Sequence, residues 1–188
     1  MDLSKRYTGL YKVISGGQTG ADQGGLLAAH QLGVLTGGTA PAGWMTSRGP
    51  QPLLECFGLK AEGTLQTRTK KNIKDSGATV VLSGDLASSG TVLTIRLCKE
   101  LNKPCLVLDI NSVCTAFGDT GLFPMETFDQ LSRPLYEFLL QHQVRTLNVA
   151  GNRERFDDLR TTKAVAGIVA TALSFLDLDN LLIRDSDL

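Results

Sequence analysis

Val13-Ile14-Ser15-Gly16-Gly17-Gln18-Thr19-Gly20-Ala21-Asp22-Gln23 joins an apolar, β-favouring run to a glycine-rich turn and then to a segment suited to a helix. A strand that passes through glycines into a helix leaves backbone N–H groups facing a gap at the positive end of the helix dipole. That geometry suits an anion such as a phosphate. The same glycines would also serve a plain strand-to-helix turn that needs positive φ. Neither G-x-x-x-x-G-K-[ST] nor a complete G-x-G-x-x-G is present, so two familiar nucleotide fingerprints are absent. The position of the turn, after a strand and before a helix, favours the anion site.

Working outward, Ala21 to Leu32 carries Leu26, Leu27, Ala28, Ala29 and Leu32 on a helical face, with Gly33 as its C-cap. Val34 and Leu35 are the core of a short second strand, which Gly37-Gly38 is expected to break. Thr39 to Gly63 is rich in Gly and Pro and weakly periodic, the pattern of a long functional or disordered loop. Trp44 within it either fastens the loop to the body or walls a ligand cavity, with Arg48 then reaching an anionic group. Thr64 is a candidate N-cap for a helix running to Ser76. Lys70, Lys71 and Lys74 give that helix a basic solvated side, while Thr67, Arg68 and Asn72 can point toward the glycine turn.

Ala78 to Ser83 reads as a strand buried on both faces. It ends in a second small-residue turn, Ser83 to Thr91, before a helix from Val92 to Leu101. Cys105 to Leu108 is a fourth strand, and Asn111 to Met125 is irregular. Glu126 to Gln141 is amphipathic, with Pro134 marking a late start or a kink. Val144 to Val149 is a fifth strand, followed by a third glycine turn, Ala150-Gly151-Asn152-Arg153. A final helix spans about Leu159 to Leu176, and the acidic tail 177–188 is peripheral.

Strands alternating with helices predict an α/β three-layer sandwich around a mainly parallel sheet of at least five strands, one domain over 1–188 with its core at about 11–176. Ligands of such sheets bind outside the carboxyl ends of the strands, where strand order reverses. In a 2-1-3-4-5 order the first and third strands are neighbours, and their turns line one crevice. There the N–H groups of Gly17 to Gly20 and of Ser89 to Thr91 would donate to phosphate oxygens. Thr19, Ser88, Ser89 and Thr91 would add hydroxyls, and Arg68 or Arg48 a charged fork. Asp22 either pins the turn or contacts a ligand hydroxyl or amine.

The bulk properties narrow the partners. The 188 residues are 42% hydrophobic and 20% charged, with 19 basic against 19 acidic side chains. That balance leaves no footprint for nucleic acid. No apolar run is long enough to span a bilayer, and Met1 to Gly9 lacks the apolar region of a signal peptide, so cytoplasmic residence is expected. Cys56, Cys98, Cys105 and Cys114 show no metal-site spacing, and Cys98 and Cys105 read as small core residues. His30 and His142 read as structural or surface groups. No Ser-His-Asp set, carboxylate pair or metal cluster is visible, so no catalytic residue is assigned.

Several of these residues carry a resemblance. Ser15-Gly16-Gly17-Gln18-Thr19-Gly20-Ala21-Asp22, Gly43-Trp44, Arg68 through Thr79, Ser89-Gly90-Thr91, Lys103-Pro104-Cys105 and Leu147 through Gly151 resemble the putative molybdenum carrier family, which includes the molybdenum cofactor carrier proteins. The resemblance spans about residues 11–172. It implies a Rossmann-like fold of the wider lysine-decarboxylase-like group, assembly into a homo-oligomer (dimer or tetramer), and binding of the molybdenum cofactor, a phosphorylated pterin. By position, Gly16, Gly17, Thr19, Gly20, Ser89, Gly90 and Thr91 would form its anion cradle, with Gln18 in the same motif. The phosphoribohydrolase relatives have Pro-Gly-Gly-x-Gly-Thr followed closely by a catalytic glutamate. Here Gly90-Thr91 is followed by Val92, Leu93, Thr94 and Ile95, with no carboxylate. The resulting expectation is a non-catalytic carrier, with a nucleotide or nucleotide-sugar hydrolase and a nucleotide-sensing module as alternatives.

Overall fold

The computed structural model of the chain describes residues 9–120, 122–123 and 125–186. Six strands form one sheet in which every pair is parallel. They are β1 (Lys12–Ser15), β2 (Leu35–Ala40), β5 (Leu59–Ala61), β6 (Ala78–Ser83), β7 (Cys105–Asp109) and β8 (Thr146–Gly151). A two-residue hairpin, β3 (Met45–Thr46) with β4 (Gly49–Pro50), stands apart from it. The helices are α1 (Ala21–Gln31), α2 (Leu65–Asp75), α3 (Ser89–Glu100), α4 (Asn111–Thr120), α5 (Met125–Gln141) and α6 (Arg160–Ser186). The protein is therefore a Rossmann-like α/β sandwich, as the alternation of strands and helices predicts.

The apolar strand runs are buried because helices cover both faces of the sheet. All six residues of β6 are buried, as are Val13, Leu147 and Val149 on its neighbours. On one face α6 packs against α1, α4 and α5, and on the other α2 packs against α3. Small residues allow the closest of these contacts. A side chain at Gly25 of α1 would run into Val149 of β8, and one at Gly24 would run into Thr162 and Val165 of α6.

The strand order is β5-β2-β1-β8-β6-β7. The expected adjacency of the first strand and the 78–83 strand is not found, because β8, last in sequence, lies between them and pairs with both. Counted from β8 as the first strand, the order β2-β1-β8-β6-β7 becomes 3-2-1-4-5, that of the doubly wound dinucleotide-binding sheet. The chain starts partway through that pattern. The strand order reverses at β8 and β6, and this places the crevice.

Four other expectations change. Gly37-Gly38 does not break β2; the strand continues through it to Ala40. The stretch 39–63 is ordered as the hairpin, two 3-10 turns (Ala42–Trp44 and Pro52–Phe57) and the edge strand β5. Asn111–Thr120 is helical rather than irregular, capped by the Asp109 carboxylate accepting from the Asn111 N–H at 2.8 Å. The last helix continues beyond Leu176 to Ser186. The N-terminal reading over residues 1–8 and the last two residues of the tail lie outside the described residues.

Candidate functional site

Three turns meet at the carboxyl edge of the sheet. Gly20, at φ 86°, packs flat against the backbone of Asn152 to Glu154, where a side chain has no room. The Ala21 N–H donates to the Asn152 carbonyl at 3.0 Å, which ties the first turn to the third.

The first turn is closed on itself. Its amides have internal acceptors: Gly17 N–H donates to Ser15 Oγ (3.2 Å), Gln18 N–H to Asp22 Oδ2 (3.2 Å) and Thr19 N–H to Gln18 Oε1 (3.0 Å). Thr19 is buried; its hydroxyl shares a hydrogen bond with Ser47 Oγ at 2.6 Å and accepts from the Glu154 N–H at 3.3 Å. The amides of Gly17 to Thr19, expected to face an anion, are spent on holding the turn.

Above this turn lies an ion pair. Thr64 caps α2 through a reciprocal pair with Thr67, and this sets the angle at which Arg68 leaves the helix. The Arg68 guanidinium covers Gly16, where a side chain would displace it, and its Nη1 donates to Asp22 Oδ2 at 3.0 Å. Arg68 Nε is buried with no hydrogen-bond partner among the described residues. Burial pushes the Asp22 carboxyl above the usual range, while the Arg68 charge and the N–H groups of Gln18 and Gly16 pull it back. Asp22 thus pins the turn, and it also borders the crevice.

In the order counted from β8, the turn from β8 into α6 is where a doubly wound sheet places its phosphate. Here the chain's own carboxylate occupies that place. Glu154, 6% exposed, accepts from the N–H of Thr162 at 2.9 Å and its hydroxyl at 3.0 Å, and from the N–H groups of Arg155, Phe156 and Thr161.

The start of α3 is different. Ser88 Oγ donates to Thr91 Oγ1 (2.9 Å) and accepts from Asn152 Nδ2 (2.9 Å). Asn152 Oδ1 accepts from Ser83 Oγ (2.7 Å) and the Asp85 N–H (2.8 Å), so Asn152 clamps the second turn to the third. Among the described residues the N–H groups of Ser89, Gly90 and Thr91 have no acceptor. A Cβ at Gly90 would meet nothing within 4 Å. Of the three helix starts that converge here, α3 leaves three consecutive N–H groups without an acceptor among the described residues, whereas α1 leaves that of Asp22 and α6 none of its first three.

These groups open onto a crevice of about 560 Å³ between α2 and α3. Ser88, Ser89 and Gly90 border it together with Gln18, Asp22 and Arg68, and Leu65 of α2 and Val92 and Leu93 of α3 add apolar surface. Arg96, Arg153 and Arg155 also border it. Arg155 pairs with Asp85 at 3.0 Å and Arg96 with Glu100 at 3.4 Å, while Arg153 has no ion pair among the described residues. Arg68, Arg96 and Arg155 are thus each matched by a carboxylate, and Arg153 together with the open start of α3 makes the crevice attractive to anions.

Of the residues singled out in the sequence, Gln18, Asp22, Arg68, Ser88, Ser89 and Gly90 meet here. Trp44 packs instead with Leu26, Leu54 and Leu59, fastening the 39–63 stretch to the body. Arg48 reaches the Phe156 carbonyl at 3.1 Å and Asp157 at 4.0 Å; neither it nor Trp44 borders the crevice. Thr91 is 1% exposed and turned toward Ser83. Asn152, Arg153 and Arg155 are not among the expected site residues; the third glycine turn carries the first two, and Arg155 lies just beyond it.

The model of the circularly permutated YpsA SLOG family matches residues 13–172. The permutation in that description agrees with a sheet whose order becomes regular when counted from β8. Among solved structures, a protein of Syntrophus aciditrophicus SB described as a "putative molybdenum carrier protein" is similar over 85% of this chain and 94% of its own, with 27% identity and a TM-score of 0.70. No curated protein matches the chain. No helix among the described residues is long and apolar enough to cross a membrane.

Proposed function

The chain belongs to the circularly permutated YpsA SLOG family, and from that membership and the crevice we propose that it binds an anionic, phosphorylated small molecule and carries it unchanged. The ligand we favour is the molybdenum cofactor, a pterin with a terminal phosphate. The observation that carries the reading is the open start of α3, where the N–H groups of Ser89, Gly90 and Thr91 have no acceptor and Ser89 and Gly90 border a crevice shared with Arg68 and Arg153. A phosphate fits that end: Gly90 leaves room for close backbone approach, and the helix dipole favours the charge. The apolar surface of Leu65, Val92 and Leu93 gives a flat ring system a place to lie. The likeness to the Syntrophus aciditrophicus protein, described as a molybdenum carrier, supports a molybdenum-related ligand.

Carriage rather than turnover is supported by the residues after Gly90-Thr91, which hold no carboxylate to act as general acid or base. Retention of the cofactor tests the reading. Purified protein mixed with the released cofactor should hold it through gel filtration and slow its oxidation relative to an unrelated protein of equal size. Equal loss in both samples would overturn the assignment. The hydrolase alternative predicts released base from nucleoside monophosphates, which chromatography would detect.

A further inference from the structure

Two of the four cysteines lie together, away from the crevice. Cys98, near the end of α3, is fully buried in a cluster with Ile73 and Leu97, and Cys105, the first residue of β7, packs against that cluster half-buried. Cys105 is the register partner of Thr79 on β6. Paired residues of neighbouring parallel strands project to the same face, so Thr79 and Cys105 both point toward α3. Cys98 thus has Cys105 and Thr79 as neighbours. The Cys105 thiol beside it lowers the Cys98 thiol to about 7 against the cost of burial, and the same closeness pushes Cys105 up. Both cysteines are in the free thiol form.

We propose that Cys98 and Cys105 form a redox-active dithiol that closes to an intramolecular disulfide under peroxide, a modification site at the amino edge of the sheet. Cys105 provides the approach, since it is the member of the pair with surface in solvent. The Cys98 thiolate attacks one oxygen of hydrogen peroxide, the O–O bond breaks, and the departing hydroxide takes a proton to leave as water. Cys98 is then a sulfenic acid. The Cys105 sulfur attacks the Cys98 sulfur, the S–O bond breaks, and the oxygen leaves with the Cys105 proton as a second water. Two thiols and one peroxide give one disulfide and two waters. The other two cysteines serve as internal controls: Cys56 is exposed, and burial holds the Cys114 thiol up at about 11.

Titration of the intact protein with hydrogen peroxide, followed by alkylation and tryptic mapping, tests the proposal. Cleavage after Lys99 places Cys98 and Cys105 on different peptides. The expected product is a monomer about 2 Da lighter, with a reducible link between those peptides and two thiols lost. Cys105→Ser should abolish the link, which separates Cys105 from Cys114 on the same peptide; Cys114→Ser should preserve it. Peroxide that modifies Cys56 while Cys98 and Cys105 remain open to alkylation after denaturation would overturn the proposal. So would disulfides found only between chains.

Discussion

Arg68 Nη1 lies 3.0 Å from Asp22 Oδ2 across the face of Gly16, joining the first turn of α1 to the first turn of α2. The Asp22 side chain is 3% exposed and the Arg68 side chain 13%, so neither charge is compensated by solvent. Removing one partner from such a pair leaves a buried charge and costs about 3–5 kcal/mol. Arg68→Ala should lose an amount of that order in denaturant unfolding at neutral pH. The sign with pH follows from Asp22. Burial already raises its pKa in the folded state, and losing Arg68 removes the chief opposing cause. A group raised on folding contributes stability below its unfolded pKa and loses it as pH rises through the folded value. The deficit of Arg68→Ala should therefore shrink toward acid pH and grow toward neutral. Asp22→Asn in the same background should recover part of it. A deficit independent of pH would remove Asp22 from the explanation.

Gly17 and Gly90 look alike in the sequence as glycines of two anion turns, yet their surroundings differ. Gly17 sits at φ 70°, and a Cβ there would lie 2.9 Å from Leu59 Cδ2 and 3.0 Å from Leu54 Cδ1. Gly17→Val should therefore cost stability, through both backbone strain and overpacking, by about 2–4 kcal/mol in total. Gly90 has open space around its Cβ position within α3. Gly90→Val should leave the melting temperature nearly unchanged and weaken binding of a phosphorylated ligand at least about tenfold, a loss of about 1.4 kcal/mol. Calorimetric titration beside thermal melts reads both quantities. Unchanged affinity in a folded Gly90→Val protein would move the site away from α3.

Asn152 joins the second and third turns through both ends of its amide. Asn152→Ala deletes bonds with Ser88, Ser83 and Asp85 and should cost about 1–3 kcal/mol. Asn152→Asp keeps the acceptor for the Asp85 N–H but places a negative charge beside the open N–H groups of α3. Its expected signature is weaker anion binding than its loss of stability explains, with the difference diminishing at higher salt. Equal effects of the two variants on binding would argue that Asn152 acts through shape alone.

Much of the fold was legible because its signals are local. The runs at 12–15, 78–83, 105–109 and 146–151 are apolar and short, and Thr64 announces α2 through a cap that forms as expected. What stayed hidden depends on contacts far apart in sequence. Glycine counts against a strand, yet β2 runs through Gly38 because its backbone lies against Ser15 with no space for a side chain. Nothing local says that β8 pairs with both β1 and β6, and that pairing alone brings Asn152 beside Ser83. The site was half legible for the same reason. Arg68 stood out as a charge on a capped helix, whereas the closure of the first turn depends on where Ser15, Gln18 and Asp22 direct their side chains.

Glu154 shows how the third turn is kept in place. Its carboxylate takes four backbone N–H donors and the Thr162 hydroxyl at the start of α6, a charge-assisted set in the position a nucleotide phosphate takes in the unpermuted fold. Glu154→Gln keeps the shape and one good acceptor but offers N–H groups to donors that need oxygen. It should cost about 1–3 kcal/mol and loosen residues 152–156, which carry Asn152, Arg153 and Arg155 to the crevice. Hydrogen exchange would read this directly, as faster exchange at Phe156, Thr161 and Thr162 with β6 and α1 unchanged. Glu154→Ala opens the start of α6 entirely, and inorganic phosphate at millimolar concentration should then raise its melting temperature more than that of the parent protein. An equal response of the two proteins to phosphate would mean that Glu154 does not fill an anion site. In that case the open start of α3 could no longer be distinguished from α6 by which helix end the chain leaves for its ligand.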